Sequence, residues 1–504
     1  MNPAGFNVDE ASAGYEAYCL LETGKDRWGN DWPAYFPAWG SGQNVLLSYV
    51  TIPAIKAFGL SVFSVRLPSL IFGLLTLPLF YFCVRPLERY PALLSIFLLA
   101  VAPWHFMLSR WSLESNLVPF FMLAGCAVLT RAFITNQRKW IIPSLIPFAL
   151  ALYAYGTTIV VLPIFFGLLL LLFFKHIRLR LTDWLIAASL FTVVAFPFLI
   201  FLVESYIVKK NLVWADRLFF STPLLPSNRF NPTGGIVWLY MVGDNIKFLL
   251  SGFNDGTVYN LLPGFPLLLS FIAPLSFIGI LAICYKLATQ KRSALSGPQD
   301  TVLLVFFAWA VASLGMVFLF ELNVNRLNHF FLPCILLAVW TIHTTIRNFN
   351  DTMPKGAIQM IVVLGFVAES SMVIKSYFKK YPQSNIRKNF NAGMDEAFDA
   401  TNKLSVKQIR ISDEVTLPYI YTLFYTKYPP ADFQKQVNYQ IKNGSYKVNY
   451  FDRYVFYDAY LTPNEDYGYL SYKDEFPDNE QRHRKIIFTN DLWEVGIMSV
   501  NPGK

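Results

Sequence analysis

Runs of apolar residues separated by short polar segments fill most of the chain before residue 380. About ten of these runs approach the ~20 residues that cross a bilayer core as helix. They are Val62–Phe82, Pro91–Met107, Leu117–Phe133, Trp140–Ala154, Ile159–Phe174, Trp184–Val203, Phe265–Tyr285, Thr301–Phe320, Phe330–Ile346 and Ala357–Tyr377. Pro68, Pro78 and Pro197 fall inside them, which packed neighbouring helices tolerate. Asn44–Leu60 is apolar too, but Pro53 and Lys56 interrupt it. It falls short of a full span and reads as a helix lying on, or re-entering, the membrane. Trp28, Trp32, Tyr35, Phe36 and Trp39 precede it, as suits the headgroup level.

From Lys380 the pattern changes to short alternating segments rich in tyrosine. Ala392–Lys403 and Pro418–Tyr425 read as helices. Lys407–Ile411, Tyr446–Tyr457, Tyr467–Tyr472, Lys485–Phe488 and Val495–Val500 read as strands. The expected fold is a multi-pass α-helical membrane domain over residues 1–379, followed by an α/β domain over residues 380–504.

Composition agrees. The chain is 54% hydrophobic and only 15% charged, where soluble domains carry roughly 25% charged residues. The net charge of +9 is no sign of nucleic-acid binding, because Lys and Arg concentrate in alternate short loops. One set of loops holds Arg85 and Arg89; Arg131, Arg138 and Lys139; Lys175, Arg178 and Arg180; Lys286, Lys291 and Arg292; and Arg347 and Lys355. The positive-inside rule places that set in the cytoplasm. The segment around Asp9, the Arg110 and Arg326 loops, the long Glu204–Gly264 loop and the C-terminal domain then lie outside a cell membrane. A start on the outer side implies a preceding helix, so a first span is expected to be missing from this chain. The five cysteines are scattered without CxxC spacing, and neither a disulfide framework nor a thiolate metal site is expected.

Candidate chemistry lies at the outer ends of the spans. Asn7-Val-Asp9-Glu10-Ala-Ser-Ala-Gly14-Tyr15 carries an adjacent acid pair, and Asp9 is the candidate general base with Glu10 beside it. Between the second and third spans, His105-Phe-Met-Leu-Ser-Arg110-Trp-Ser-Leu-Glu114 places a cation and a carboxylate at i,i+4 if that segment is helical. Asn323-Val-Asn325-Arg326-Leu-Asn328-His329 gathers amides and a guanidinium that suit a phosphate. The Glu204–Gly264 stretch, with Lys209, Lys210, Arg217, Arg229 and Asp244, reads as a loop long enough to be functional.

No dinucleotide fingerprint, P-loop or HExxH motif occurs. An outer-face enzyme in lipid would draw its activated substrate from the membrane, and a polyprenyl-phosphate sugar fits. Its reaction needs a base for the acceptor hydroxyl and fixed cations for the departing phosphate. Asp9 supplies the first; Arg110 and Arg326 supply the second. Direct displacement with one base would invert the anomeric carbon. Two other classes compete. An exporter of lipid-linked glycans calls for ionisable residues in mid-span. A polysaccharide polymerase or ligase calls for a large loop late in the chain, rich in Arg and His.

Asp9-Glu10-Ala11 with Gly14-Tyr15 and Ala17-Tyr18, Arg66-Leu67-Pro68-Ser69, and Ser109-Arg110 with Glu114 resemble the GT-C superfamily of membrane glycosyltransferases. The group resembled is the protein O-mannosyltransferase-like family 39, with the lipid A aminoarabinose transferases as relatives. The resemblance implies that Asp9 is the base, with Glu10 at its side. It implies that Arg110 and Glu114 help to hold substrate; His105, Asn325 and Arg326 are further substrate-binding candidates from their place at the outer ends of the spans. The donor it implies is a polyprenyl- or dolichyl-phosphate sugar, and the acceptor a hydroxyl on protein, lipid or cell-envelope glycan. No cofactor and no metal is expected. The tail lacks the β-trefoil repeats of the eukaryotic protein mannosyltransferases.

Overall fold

The computed structural model describes residues 3–38, 42–173, 181–212, 214–225, 235–289, 297–349, 354–442, 444–473, 475 and 484–499. Trp39, Phe174, Lys175, Arg178, Arg180, Arg229, Lys291, Arg292 and Val500 lie outside them. Each apolar run read as a span contains a helix. Seven helices among the described residues are long and apolar enough to cross a membrane, and shorter apolar helices cover Leu46–Phe58, Arg89–Val101, Ile141–Ala154 and Thr158–Phe173. This is a multi-pass membrane protein with a β-sheet at its C-terminal end.

The chain forms two compact units. The first gathers Met1–Pro68, Ile200–Arg229 and Pro382–Lys504; the second gathers Ser69–Leu199 and Phe230–Tyr381.

In the first unit, strands β1 (Ile409–Ile411), β2 (Asn438–Lys442), β3 (Ser445–Phe451), β4 (Tyr454–Val455), β5 (Tyr467–Tyr472), β6 (Arg484–Thr489) and β7 (Trp493–Met498) make one sheet in the order β2-β3-β4-β1-β5-β7-β6. The centre is parallel: β1 pairs with β4 and β5, setting Ile409 beside Tyr454 on one side and Gly468 on the other. The margins are antiparallel. Ile409, Leu470, Trp493 and Val495 are buried with Ile420, Phe424, Tyr15 and Phe6 in one core.

The acid-pair segment, read as a polar extramembrane stretch, is a helix, Val8–Thr23, buried along most of its length. Its ends are set locally. Asn7 accepts the Asp9 N–H at 2.9 Å, and Glu10 reaches back to the Asn7 N–H at 3.1 Å, a capping box. Gly24, at φ 70°, closes the C-terminus by donating to the Leu20 carbonyl. The Leu46–Phe58 helix has 13 residues, about 20 Å of rise against a ~30 Å hydrocarbon core.

The second unit holds the remaining helices and two departures from expectation. The run read as one span over Pro91–Met107 is two helices, Arg89–Val101 and Pro103–Leu108. Ala102 is extended at φ −62° and ψ 125°, because the ring of Pro103 disfavours helical geometry in the residue before it. The stretch from 204 to 264 is not all loop: Gly235–Leu250 is a helix. Its apolar run is cut by Gly243, Asp244, Asn245 and Lys247, which hid it. Asn245 earns its place by donating to the Val317 and Phe320 carbonyls at 2.8 and 2.9 Å and accepting the Leu322 N–H at 2.8 Å. This anchors the turn that leads to Asn325 and Arg326.

Candidate active site

The first turn of the Val8–Thr23 helix carries Asp9 half-buried beside the fully buried Glu10. Arg66, at the start of the Val62–Val84 helix, grips Glu10 in a two-point pair, Nε to Oε1 and Nη2 to Oε2, both at 2.7 Å. The same guanidinium donates to the carbonyls of Pro3 at 3.0 Å and Gly5 at 2.9 Å. Its carbon lies over the rings of Phe6 and Phe390, 5.8 and 5.9 Å from their centroids. Glu10 is therefore committed to the capping box and to Arg66. Its geometry is that of a residue fixing the turn from which the Asp9 side chain projects.

One face of the same helix continues this polar support. Asp9, Ser12 and Glu16 follow the i, i+3, i+7 spacing of a single face. Ser12 donates to Gln43 Oε1 at 3.0 Å, and Gln43 Nε2 reaches the Asp9 carbonyl at 3.5 Å. Behind them Arg27, wholly buried, pairs through Nε with Glu16 at 2.5 Å, donates its backbone N–H to Glu16 at 2.9 Å, and donates to Ser12 through Nη2. Burial works against the Arg27 charge, but Glu16 outweighs it and holds the pKa above the ordinary arginine value. Asp26 accepts the N–H groups of Trp28 and Asn30 at 2.9 and 2.8 Å. Burial first, and the Glu16 charge second, push its carboxyl up to about 7 against these donors. Sequence reading did not single out Ser12, Glu16, Arg27 or Gln43. The capping pattern Asn7-x-x-Glu10 was the available signal, since a helix starting there puts Ser12 and Glu16 in register with Asp9.

The C-terminal α/β segment closes over this helix within the same unit. Phe424 lies 4.6 Å, ring to ring, from Phe6. Tyr421 is hydrogen-bonded to Asn391 at 2.7 Å and donates to the Phe6 carbonyl at 3.3 Å. Tyr15 donates to the Tyr428 carbonyl at 2.8 Å. Burial pushes the Tyr421 phenol well up, and the Asp9 and Glu10 carboxylates add to the shift.

The other expected site residues lie in the second unit. Ser109–Leu113 is a bend, not a helix, so the i,i+4 argument for Arg110 and Glu114 does not apply. Arg110 sits over Tyr377 and Phe378, its guanidinium carbon 5.6 and 5.5 Å from their centroids. Glu114 is buried at the start of the short Glu114–Leu117 turn. Next to that turn, Asn328 accepts from Trp104 Nε1 at 2.8 Å and donates to Ser115 at 3.0 Å. Arg326 is half-buried; its N–H donates to Asn323 Oδ1 at 2.8 Å and its Nη1 to the Glu321 carbonyl. Asp255 holds the same loop by accepting the Val324 N–H at 3.0 Å. His105 Nε2 and Asn325 Oδ1 are buried without a hydrogen-bond partner among the described residues.

A family model described as dolichyl-phosphate-mannose-protein mannosyltransferase matches residues 44–201. That stretch takes in Arg66, His105, Arg110 and Glu114 and excludes Asp9, Asn325 and Arg326. The crystal structure of ArnT from Cupriavidus metallidurans bound to undecaprenyl phosphate superposes with a TM-score of 0.56 at 13% identity, covering 98% of this chain and 94% of that one. The fold of this chain is the fold of that ArnT. The apo form of the same ArnT gives a TM-score of 0.54 at 12% identity, with the same coverage. The archaeal oligosaccharyltransferase AglB from Archaeoglobus fulgidus, in complex with an inhibitory peptide and a dolichol-phosphate, has a TM-score of 0.47 at 13% identity, covering 84% of this chain and 60% of its own. No curated protein matches the sequence significantly. The chain is thus similar to the mannosyltransferase family over residues 44–201 and to ArnT in its fold, the group that its motifs resemble.

Proposed function

We propose that this protein transfers a sugar from a polyprenyl-phosphate donor to a hydroxyl acceptor on the outer face of the membrane. The observation that carries this reading is the locked first turn of the Val8–Thr23 helix. Glu10 is held by Arg66 and the capping box, which presents the neighbouring Asp9 from a rigid backbone.

In the reaction, the acceptor oxygen attacks the anomeric carbon and its proton passes to Asp9. The bond from that carbon to the phosphate oxygen breaks, and polyprenyl phosphate leaves with the opposite configuration set at the sugar. Arg110 and Arg326 stabilise the charge that develops on the phosphate. Glu114 orients the sugar or its acceptor. His105 Nε2 and Asn325 Oδ1, buried and without a hydrogen-bond partner among the described residues, supply polar atoms that a substrate would satisfy. The α/β domain from residue 380 lies on the outer side with the site. ArnT with undecaprenyl phosphate, and a family named for dolichyl-phosphate mannose, support the donor class.

The test is transfer from a radiolabelled polyprenyl-phosphate sugar in membranes containing the Asp9→Asn protein. General-base removal lowers the rate about 10²–10⁴-fold, with membrane insertion and abundance unchanged. Turnover by Asp9→Asn at the unaltered rate would refute the assignment.

A further inference from the structure

A carboxylate stands within the Lys355–Lys379 helix, one of the helices long and apolar enough to span a membrane. Glu369 Oε1 accepts both the Ser270 N–H at 2.8 Å and the Ser270 hydroxyl at 2.6 Å. Ser270 lies two positions before the first residue of the Ile272–Thr289 helix, so this oxygen stands near a helix N-terminus, where the dipole favours an anion. The two hydrogen bonds from Ser270 do not by themselves call for a charge, since a neutral amide oxygen accepts as well. Ionisable groups in a span are costly and rarely without a task.

Beside Glu369 lies a groove of about 610 Å³, lined by Phe265, Phe271, Ile361, Val362, Phe366 and Met372 among others. Glu369 is the one charged group among the described residues that line it. Ile361, Val362, Gly365 and Met372 share its helical stripe. From Ile361 to Glu369 the helix rises about 12 Å, room for much of one acyl chain. Gly365 deepens the floor: a Cβ built there meets nothing within 4 Å. The groove is therefore apolar along its length and anionic at one point.

We propose that this groove binds an aminophospholipid. The lipid's ammonium sits on Glu369 and one acyl chain runs along the stripe through Gly365. A phosphate or glycerol head would bring an anion, or no cation, to an isolated carboxylate. A quaternary choline has no N–H to give. A primary ammonium supplies charge-assisted hydrogen bonds. The assignment is independent of the sugar-transfer reading and is tested without any sugar.

The full-length protein, reconstituted with equal phosphatidylethanolamine and phosphatidylglycerol, is extracted and its retained lipid read by native mass spectrometry. Phosphatidylethanolamine should be enriched. Glu369→Gln keeps an acceptor for Ser270 and should lower that enrichment about tenfold, the loss of one charge-assisted contact. Gly365→Leu fills the floor and should displace either lipid, which decides the matter if the first variant fails to fold. Equal retention of the two lipids by the unaltered protein, or undiminished phosphatidylethanolamine on the Gly365→Leu protein, overturns the proposal. So does undiminished enrichment on a folded Glu369→Gln protein.

Discussion

Arg66 and Glu10 show how one buried ion pair shapes a neighbouring residue. Arg66 is 6% exposed and Glu10 is 0% exposed. Each guanidinium nitrogen has a partner: Nε and Nη2 on Glu10, Nη1 on Pro3, with Nη2 also on Gly5. Removing one side of such a pair strands a buried charge, which costs about 3–5 kcal/mol. Arg66→Ala should lose that much stability in chemical denaturation in detergent, and sugar transfer should fall with it. The Arg66→Ala/Glu10→Ala double variant should lose clearly less than the sum of the two singles; strict additivity would show that the pair is not coupled. The acid pair was visible in the sequence because adjacent acids before a series of spans stand out. Its partner was visible only as part of the Arg66-Leu67-Pro68-Ser69 resemblance, since no local rule links residues so far apart in the chain.

At the scale of elements, Gly14 explains why the acid-pair motif carries a glycine. A Cβ there would stand 2.4 Å from Val65 Cγ2 and 3.0 Å from Phe424 Cε2, so the helix can approach its neighbours this closely only without a side chain. Gly14→Val should destabilise the protein by about 1–3 kcal/mol, the usual cost of overpacking, with Gly14→Ala intermediate. A Gly14→Val protein with an unchanged thermal midpoint would contradict this packing. The helices most readable from sequence were the long apolar ones, whose lengths alone mark them. The break at Ala102-Pro103 was missed in the apolar run Pro91–Met107, although proline constrains the residue before it. Gly235–Leu250 was not readable, because its polar residues, including Asn245, face contacts that exist only in the folded unit. The short Pro430–Gln436 helix and strand β2 were missed as well. β2 is mostly exposed, so no alternation of apolar residues announces it.

For the molecule as a whole, the main finding is that the first unit is discontinuous. Phe6, Tyr15 and Val65 share a core with Ile420, Phe424, Leu470 and Trp493, and the 200–229 segment joins them through stacking of Phe201 on Tyr35 at 4.3 Å. Ending the chain at Tyr381 would remove the partners that bury the acid-pair helix. Trypsin should then cut after Arg27, which is 1% exposed in the intact protein, and sugar transfer should be lost. An intact Arg27 site in the truncated protein, read by peptide mapping, would mean that the N-terminal helix is held without residues 382–504.

The sequence by itself determined the membrane class, the helices of the apolar runs and strands β1, β5, β6 and β7, because each depends on local periodicity and length, while the run Tyr446–Tyr457 read as one strand is β3 and β4 joined by a turn. It also marked Asp9 and Glu10 as unusual. Only the tertiary structure decided what Glu10 is for. Likewise, only the fold put Ser12, Arg27 and Gln43 behind Asp9 and set the C-terminal helix Pro418–Thr426 against the N-terminal one. The physical reason is the same in each case: a buried charge or polar group takes its role from partners distant in sequence, and local patterning carries no record of them.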